Sequence, residues 1–119
     1  MSTTLYGIKN CDTVRAARSW LETHNVDFSF QDVRDTPLTA AQLQTWLQTL
    51  GVDALVNKRS TTWKQLSPAQ RDGLNPDTAI ALLLEHPTLM KRPLLDTGSE
   101  LHLGFKAEHY QSLFTHHTL

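Results

Sequence analysis

A single cysteine, Cys11, serves 119 residues. One thiol excludes an intrachain disulfide, so any redox cycle through it needs an external thiol such as glutathione, or a partner protein, to resolve it. A dominant charge is missing too. Eleven Lys and Arg meet twelve Asp and Glu for a net charge of −1, and no basic stripe interleaves with aromatics, which argues against nucleic acid as a partner. No apolar run reaches bilayer length and the first residues lack a charged-then-apolar leader, so a cytoplasmic protein without membrane contact is expected. The six histidines are scattered, none at metal-ligand spacing with Cys11, and His116 and His117 are expected in a solvated tail. No metal and no bound cofactor is therefore expected. Internal repeats and low-complexity segments are also lacking. The length suits one domain, and a monomer is expected.

What is present is a corner. Thr3 to Ile8 reads as a buried strand, Asn10 as the N-cap of a helix and Cys11 as its first helical residue. Unpaired N–H groups and the positive end of the helix dipole favour a thiolate there. Arg15 follows four residues on along the same face, with its side chain leaning back toward the N-terminus, and Lys9 adds a second positive charge. Asp12 opposes both. A lone cysteine is most often a small buried hydrophobe, and packing beside Val14 would make Cys11 one. The helix-start position and flanking cations favour reactivity instead.

Val14, Ala17 and Leu21, with Trp20 alongside, mark one face of that helix, which fades near His24-Asn25. Val26, Phe28 and Phe30 then alternate with polar residues as a half-buried strand, parallel to the first and joined right-handedly. Asp32 to Pro37 reads as a turn. Thr39 and Gln42 form a capping box, Leu38 and Leu43 a staple, and Gly51 a terminator for a helix over 40–50. Asp53 to Val56 suggests a helical turn, Asn57 to Thr62 a loop, and Ser67 to Gln70 another capped start. Asn75-Pro76 opens a helix whose Ile80, Leu82, Leu83 and Leu84 read as largely buried, and Pro87 limits it. Thr97-Gly98-Ser99 turns a hairpin in which Leu101, Leu103 and Phe105 alternate, and Lys106 to Phe114 closes as a helix with Tyr110, Leu113 and Phe114 inward. This is an α/β order: a thioredoxin-like four-stranded mixed sheet built from residues 1–36 and 88–119, with a helical insertion over 37–87.

The stretch Tyr6-Gly7-Ile8-Lys9-Asn10-Cys11-Asp12-Thr13, with Asn57-Lys58-Arg59-Ser60, Lys91-Arg92-Pro93-Leu94 and Gly104-Phe105-Lys106, resembles the arsenate reductase (ArsC) family, particularly its short YffB-like branch. The resemblance covers essentially the whole chain. It implies a thioredoxin-like fold with Cys11 as nucleophile, Arg59 and Arg92 holding an oxyanion or thiol substrate, and a cis Pro93. The substrate- and glutathione-binding set implied is Lys9, Asn10, Arg15, Arg59, Arg92, Pro93 and Lys106. The chain departs from arsenate-reducing members at Gly7, where they carry histidine, at Val14, where they carry a hydroxyl residue, and at Gly104-Phe105-Lys106, where a third arginine is expected. Lys106 is a point charge and cannot reproduce a bidentate fork.

Three functions compete on this pattern. A glutathione-dependent thiol reductase fits the lone cysteine and incomplete oxyanion set. Arsenate reduction, coupled to glutathione and to glutaredoxin as partner, fits the cationic pair. Spx-type regulators share the resemblance and bind RNA polymerase; Gly51-Val52-Asp53 is similar to their contact segment. Their redox-sensing members use Cys-x-x-Cys, and here Val14 occupies the second position.

Overall fold

The computed structural model describes residues 2–114; His116 and His117 lie outside them. In chain order the elements are β1 (Thr4–Gly7), α1 (Asp12–Thr23) and β2 (Ser29–Asp32), followed by α2 (Ala40–Leu50), α3 (Val52–Leu55), α4 (Thr61–Gln65), α5 (Pro68–Asp72) and α6 (Pro76–Glu85). A short 3₁₀ turn (Pro87–Leu89), β3 (Leu94–Asp96), β4 (Leu101–Leu103) and α7 (Ala107–Phe114) complete the chain. Two compact units result, one made of the residues up to Asp32 and from Arg92 onward, the other of Val33–Lys91.

The first unit is a four-stranded sheet in the order β2-β1-β3-β4. β1 and β2 are parallel, as a strand–helix–strand crossover requires, while β3 pairs antiparallel with β1 and with β4. The register lines up Phe30, Leu5, Leu95 and His102 across the four strands. On that face α1 contributes Ala17 and Leu21, and α7 contributes Tyr110 and Phe114, to one buried cluster with Leu5 and Leu95. The i, i+3, i+7 spacing of Val14, Ala17 and Leu21 buries all three. α1 ends in a Schellman arrangement: Val26 N–H reaches Leu21 O at 3.0 Å, Asn25 N–H reaches Glu22 O at 3.2 Å, and Asn25 takes φ +57°.

The second strand is shorter than its alternation suggests. Its ladder begins at Ser29, whose N–H donates to Thr3 O at 2.9 Å, because β1 offers no partner further back. Val26 and Phe28 pack against the core cluster from the loop instead. Asp32, read as the start of a turn, is the last residue of β2 and pairs with Gly7. Phe105 falls beyond β4, after Gly104 at φ +79° breaks the strand, and packs edge-on against Tyr110.

The second unit is helical, with α2 packed against α6 and α3, and α6 against the 3₁₀ turn. Local signals set its helix starts: capping boxes at Thr39/Gln42, Ser67/Gln70 and Asn75/Thr78 are all formed. The segment expected as a loop over Asn57–Thr62 instead ends in α4, because Ser60 Oγ accepts from Trp63 N–H at 3.1 Å. Leu82 and Leu83 are buried as expected, whereas Leu84 is 43 % exposed, since a ten-residue helix packed on one side leaves an outer face. Among the described residues no helix is long and apolar enough to cross a membrane. No three His, Cys, Asp or Glu side chains among them are placed to hold a metal ion.

Candidate active site

The corner after β1 is built from backbone first. β1 ends at Gly7, Ile8 is buried, and the chain turns through Lys9 and Asn10, with Cys11 N–H donating to Ile8 O at 3.3 Å. Cys11 has φ −97° and ψ 125°, so it is the extended N-cap residue of α1 and Asp12 is the first helical residue. That corrects the expectation that Asn10 caps and Cys11 opens the helix: the chain is still turning at Cys11, and the first intrahelical bond runs from Arg15 N–H to Cys11 O at 2.9 Å. The cysteine makes no side-chain cap hydrogen bond. Because the first N–H groups of a helix have no intrahelical acceptor, the first turn of α1 keeps donors facing the sulfur's end of the helix. Cys11 itself is half-buried, neither walled off nor on an open surface.

Gly7 and Val14 interlock beside this corner. A Cβ on Gly7 would lie 2.7 and 2.9 Å from the two γ-carbons of Val14, whose side chain is completely buried. A Cβ at position 7 would therefore force Val14 to shift. Gly7 and Val14 are thus one packing solution.

The charges sort differently from the sequence reading. The Arg15 guanidinium is engaged by the Asp12 carboxylate one turn away, both exposed. Lys9 and Asn10 are exposed on the turn, and Lys106 is exposed just before α7, its carbonyl accepting Tyr110 N–H at 3.0 Å. Arg92 is half-buried and its peptide bond to the buried Pro93 is cis. Pro93 lies one residue beyond the Tyr6–Leu94 rung, at the end of the sheet where β1 ends, and its carbonyl accepts Gly104 N–H at 2.9 Å. The sheet unit thus carries Lys9, Asn10, Cys11, Arg15, Arg92, Pro93 and Lys106. Arg59 belongs to the helical unit, where it is exposed and its N–H donates to Asn57 Oδ1 at 3.0 Å.

One residue escaped the sequence reading. Asp32 is buried, 9 % exposed, and its Oδ2 accepts the Lys9 N–H at 3.0 Å across 23 residues of chain. Its position at the end of an alternating apolar stretch was the available signal. Farther off, burial pushes the Tyr110 phenol well above its ordinary value, and its hydroxyl has no hydrogen-bond partner among the described residues. Arg18 lies over the Phe30 ring, 4.2 Å from its centroid.

A parallel βαβ half joined to an antiparallel ββα half, with a cysteine at the first strand–helix corner and a cis-proline before the third strand, defines a thioredoxin-like protein. The ArsC family model matches residues 6–113, and the chain belongs to the ArsC family. The chain is 42 % identical to an uncharacterized protein of Haemophilus influenzae over 93 % of its own length and 97 % of that protein's. It is 28 % identical to the global transcriptional regulator Spx 2 of Bacillus cereus, covering 87 % of this chain and 80 % of the regulator. Among solved structures it is similar to a YffB protein, with TM-score 0.89 and 36 % identity over 93 % of this chain and 97 % of that one. It is also similar to an arsenate reductase (ArsC) related protein from Brucella melitensis, with TM-score 0.76 and 39 % identity over 96 % and 95 % of the two chains.

Proposed function

We propose that the chain is a thiol-based oxidoreductase in which Cys11 is the nucleophile and glutathione the cosubstrate. The observation that carries this reading is the half-exposed cysteine at an uncapped helix N-terminus, at the same end of the sheet as Pro93, in a member of the ArsC family. On a mixed disulfide between a substrate thiol and glutathione, the Cys11 thiolate attacks the glutathione sulfur. A Cys11–glutathione disulfide forms, the original S–S bond breaks, and the substrate sulfur leaves with the electron pair and takes a proton from solvent. A second glutathione thiolate attacks the glutathione sulfur of the adduct, releasing Cys11 as thiolate and oxidised glutathione. One disulfide is thus exchanged for another: the substrate sulfur is reduced from disulfide to thiol, the second glutathione's sulfur is oxidised from thiol to disulfide, and its proton goes to solvent.

In this reading the first-turn amides of α1 and the backbone around Pro93 receive the extended glutathione chain. Arg92 offers a guanidinium fork for one of its carboxylates. Lys9, Asn10, Arg15 and Lys106 complete the polar surround. The protein acts as a cytoplasmic monomer, where glutathione is kept reduced.

The test is a coupled assay: purified protein, reduced glutathione and a small glutathione mixed disulfide, with oxidised glutathione followed through glutathione reductase. Turnover is expected in the wild type and absent in Cys11→Ser; a Cys11→Ser variant with full turnover overturns the reading. The likeness to the Brucella melitensis protein supports arsenate as an alternative substrate, tested by supplying arsenate with glutathione and glutaredoxin. The likeness to Spx 2 supports a regulator instead, and retention of RNA polymerase subunits on the immobilised protein, with no turnover in either assay, would establish that reading.

A further inference from the structure

We propose that Asp32 is the positioning residue of the thiol corner, its carboxylate holding the Lys9 amide and so fixing the turn that presents Cys11. The proposal rests on Cys11 being the reacting group. Asp32 is the one charged side chain buried among the described residues. Burying a carboxylate is costly unless its oxygens are hydrogen-bonded. Here one oxygen is given to the backbone N–H of an exposed turn residue, a donor that water could have satisfied.

The geometry agrees. Asp32 and Gly7 form the last rung between β2 and β1, so the carboxylate stands at the strand ends from which the turn departs. The turn's own closure, Cys11 N–H to Ile8 O, is long at 3.3 Å. The Lys9–Asp32 bond is shorter at 3.0 Å and has a carboxylate acceptor, which makes it the stronger of the two. The sulfur follows two residues after the anchored amide, and from there the first-turn donors of α1 are set relative to it.

Position and charge can be separated by substitution. Asp32→Asn keeps an oxygen acceptor in place without the charge, Asp32→Glu keeps the charge and moves the acceptor by a methylene, and Asp32→Ala removes both. The readouts are the bimolecular rate constant of Cys11 with dithiodipyridine, a disulfide unrelated to glutathione, and hydrogen exchange at the Lys9 amide, at a temperature where circular dichroism shows each variant folded. Asn is expected within about twofold of wild type, and Glu and Ala about tenfold slower, with faster Lys9 exchange in those two. Should Ala fail to fold, the Asn and Glu variants decide alone. Equal rate constants across the series, or rates that follow charge so that Glu matches wild type and Asn does not, overturn the proposal. Absence of glutathione turnover in the wild type, together with the expected order of dithiodipyridine rates, supports the positioning and overturns only the proposed cosubstrate.

Discussion

In the helical unit α2, α4, α5 and α6 each begin with a side-chain oxygen on a first-turn amide, from Thr39, Ser60, Ser67 and Asn75. In the sheet unit α1 begins at Cys11 with no side-chain cap, although the position is extended and otherwise correct for one. A capped start satisfies its own donors and is worth about 1 kcal/mol. An uncapped start with a sulfur in the cap position forgoes that stability and leaves its donors and dipole available to a reacting group. The four-residue α3 after Gly51 is also uncapped; the contrast is between the four capped starts, which serve the fold, and a start with a sulfur at the cap position, which in our reading serves chemistry. It also shows two ways of fixing a helix start: the capped starts use bonds within three residues, while the Cys11 turn is tied to Asp32 across 23.

The sharpest test of the contrast is Cys11→Ser. Serine is a good N-cap, so the variant is expected to lose thiol turnover entirely yet gain about 0.5–1 kcal/mol of stability, measured by urea unfolding. A variant that is both inactive and destabilised would mean the sulfur already acts as a cap or packing group. Next in size is Gly7→Ala, expected to cost about 1–3 kcal/mol by overpacking against Val14. The Gly7→Ala/Val14→Ala double variant should be less destabilised than the sum of the two single changes, and simple additivity would break the interlock.

In the helical unit Thr39→Ala and Asn75→Ala are each expected to cost about 1 kcal/mol while leaving the Cys11 reaction rate unchanged. A change in that rate would break the separation between structural and chemical helix starts. The smallest effect is Tyr110→Phe. Removing a buried hydroxyl that has no partner among the described residues should be neutral to stabilising, by up to about 1 kcal/mol in thermal or urea unfolding. Its pH dependence has a definite sign. Above about pH 10 the unfolded chain loses the phenol proton and the native state keeps it, so wild-type stability falls with rising pH, and Phe should flatten that fall.

The helical unit was more legible than the sheet unit because its signals are local. Thr39/Gln42 and Asn75-Pro76 marked helix starts within a single turn, and the structure forms both caps. Ser60 was passed over because no Glu or Gln stands three residues on to complete a box, yet its hydroxyl caps α4 alone. Val26 and Phe28 read as strand from their alternation, but strand is decided by a partner, and β1 supplies only four residues of one. At the thiol corner Cys11 was visible as the lone cysteine between strand and helix. Asp32 was not, since nothing in its neighbours says that its carboxylate meets an amide 23 residues earlier.

By itself the sequence determined the element order, the apolar faces of α1 and α2, most helix starts and the place of the cysteine, because each depends on periodicity or on contacts within about one helical turn. Only the tertiary structure decided that Cys11 is a cap rather than a helical residue, that Gly7 yields its space to Val14, that Arg15 is engaged by Asp12, and that Asp32 holds the turn. Most of these depend on strand register and on how closely two backbones approach. The Arg15–Asp12 pair depends on a choice between two partners within reach, which spacing alone leaves open.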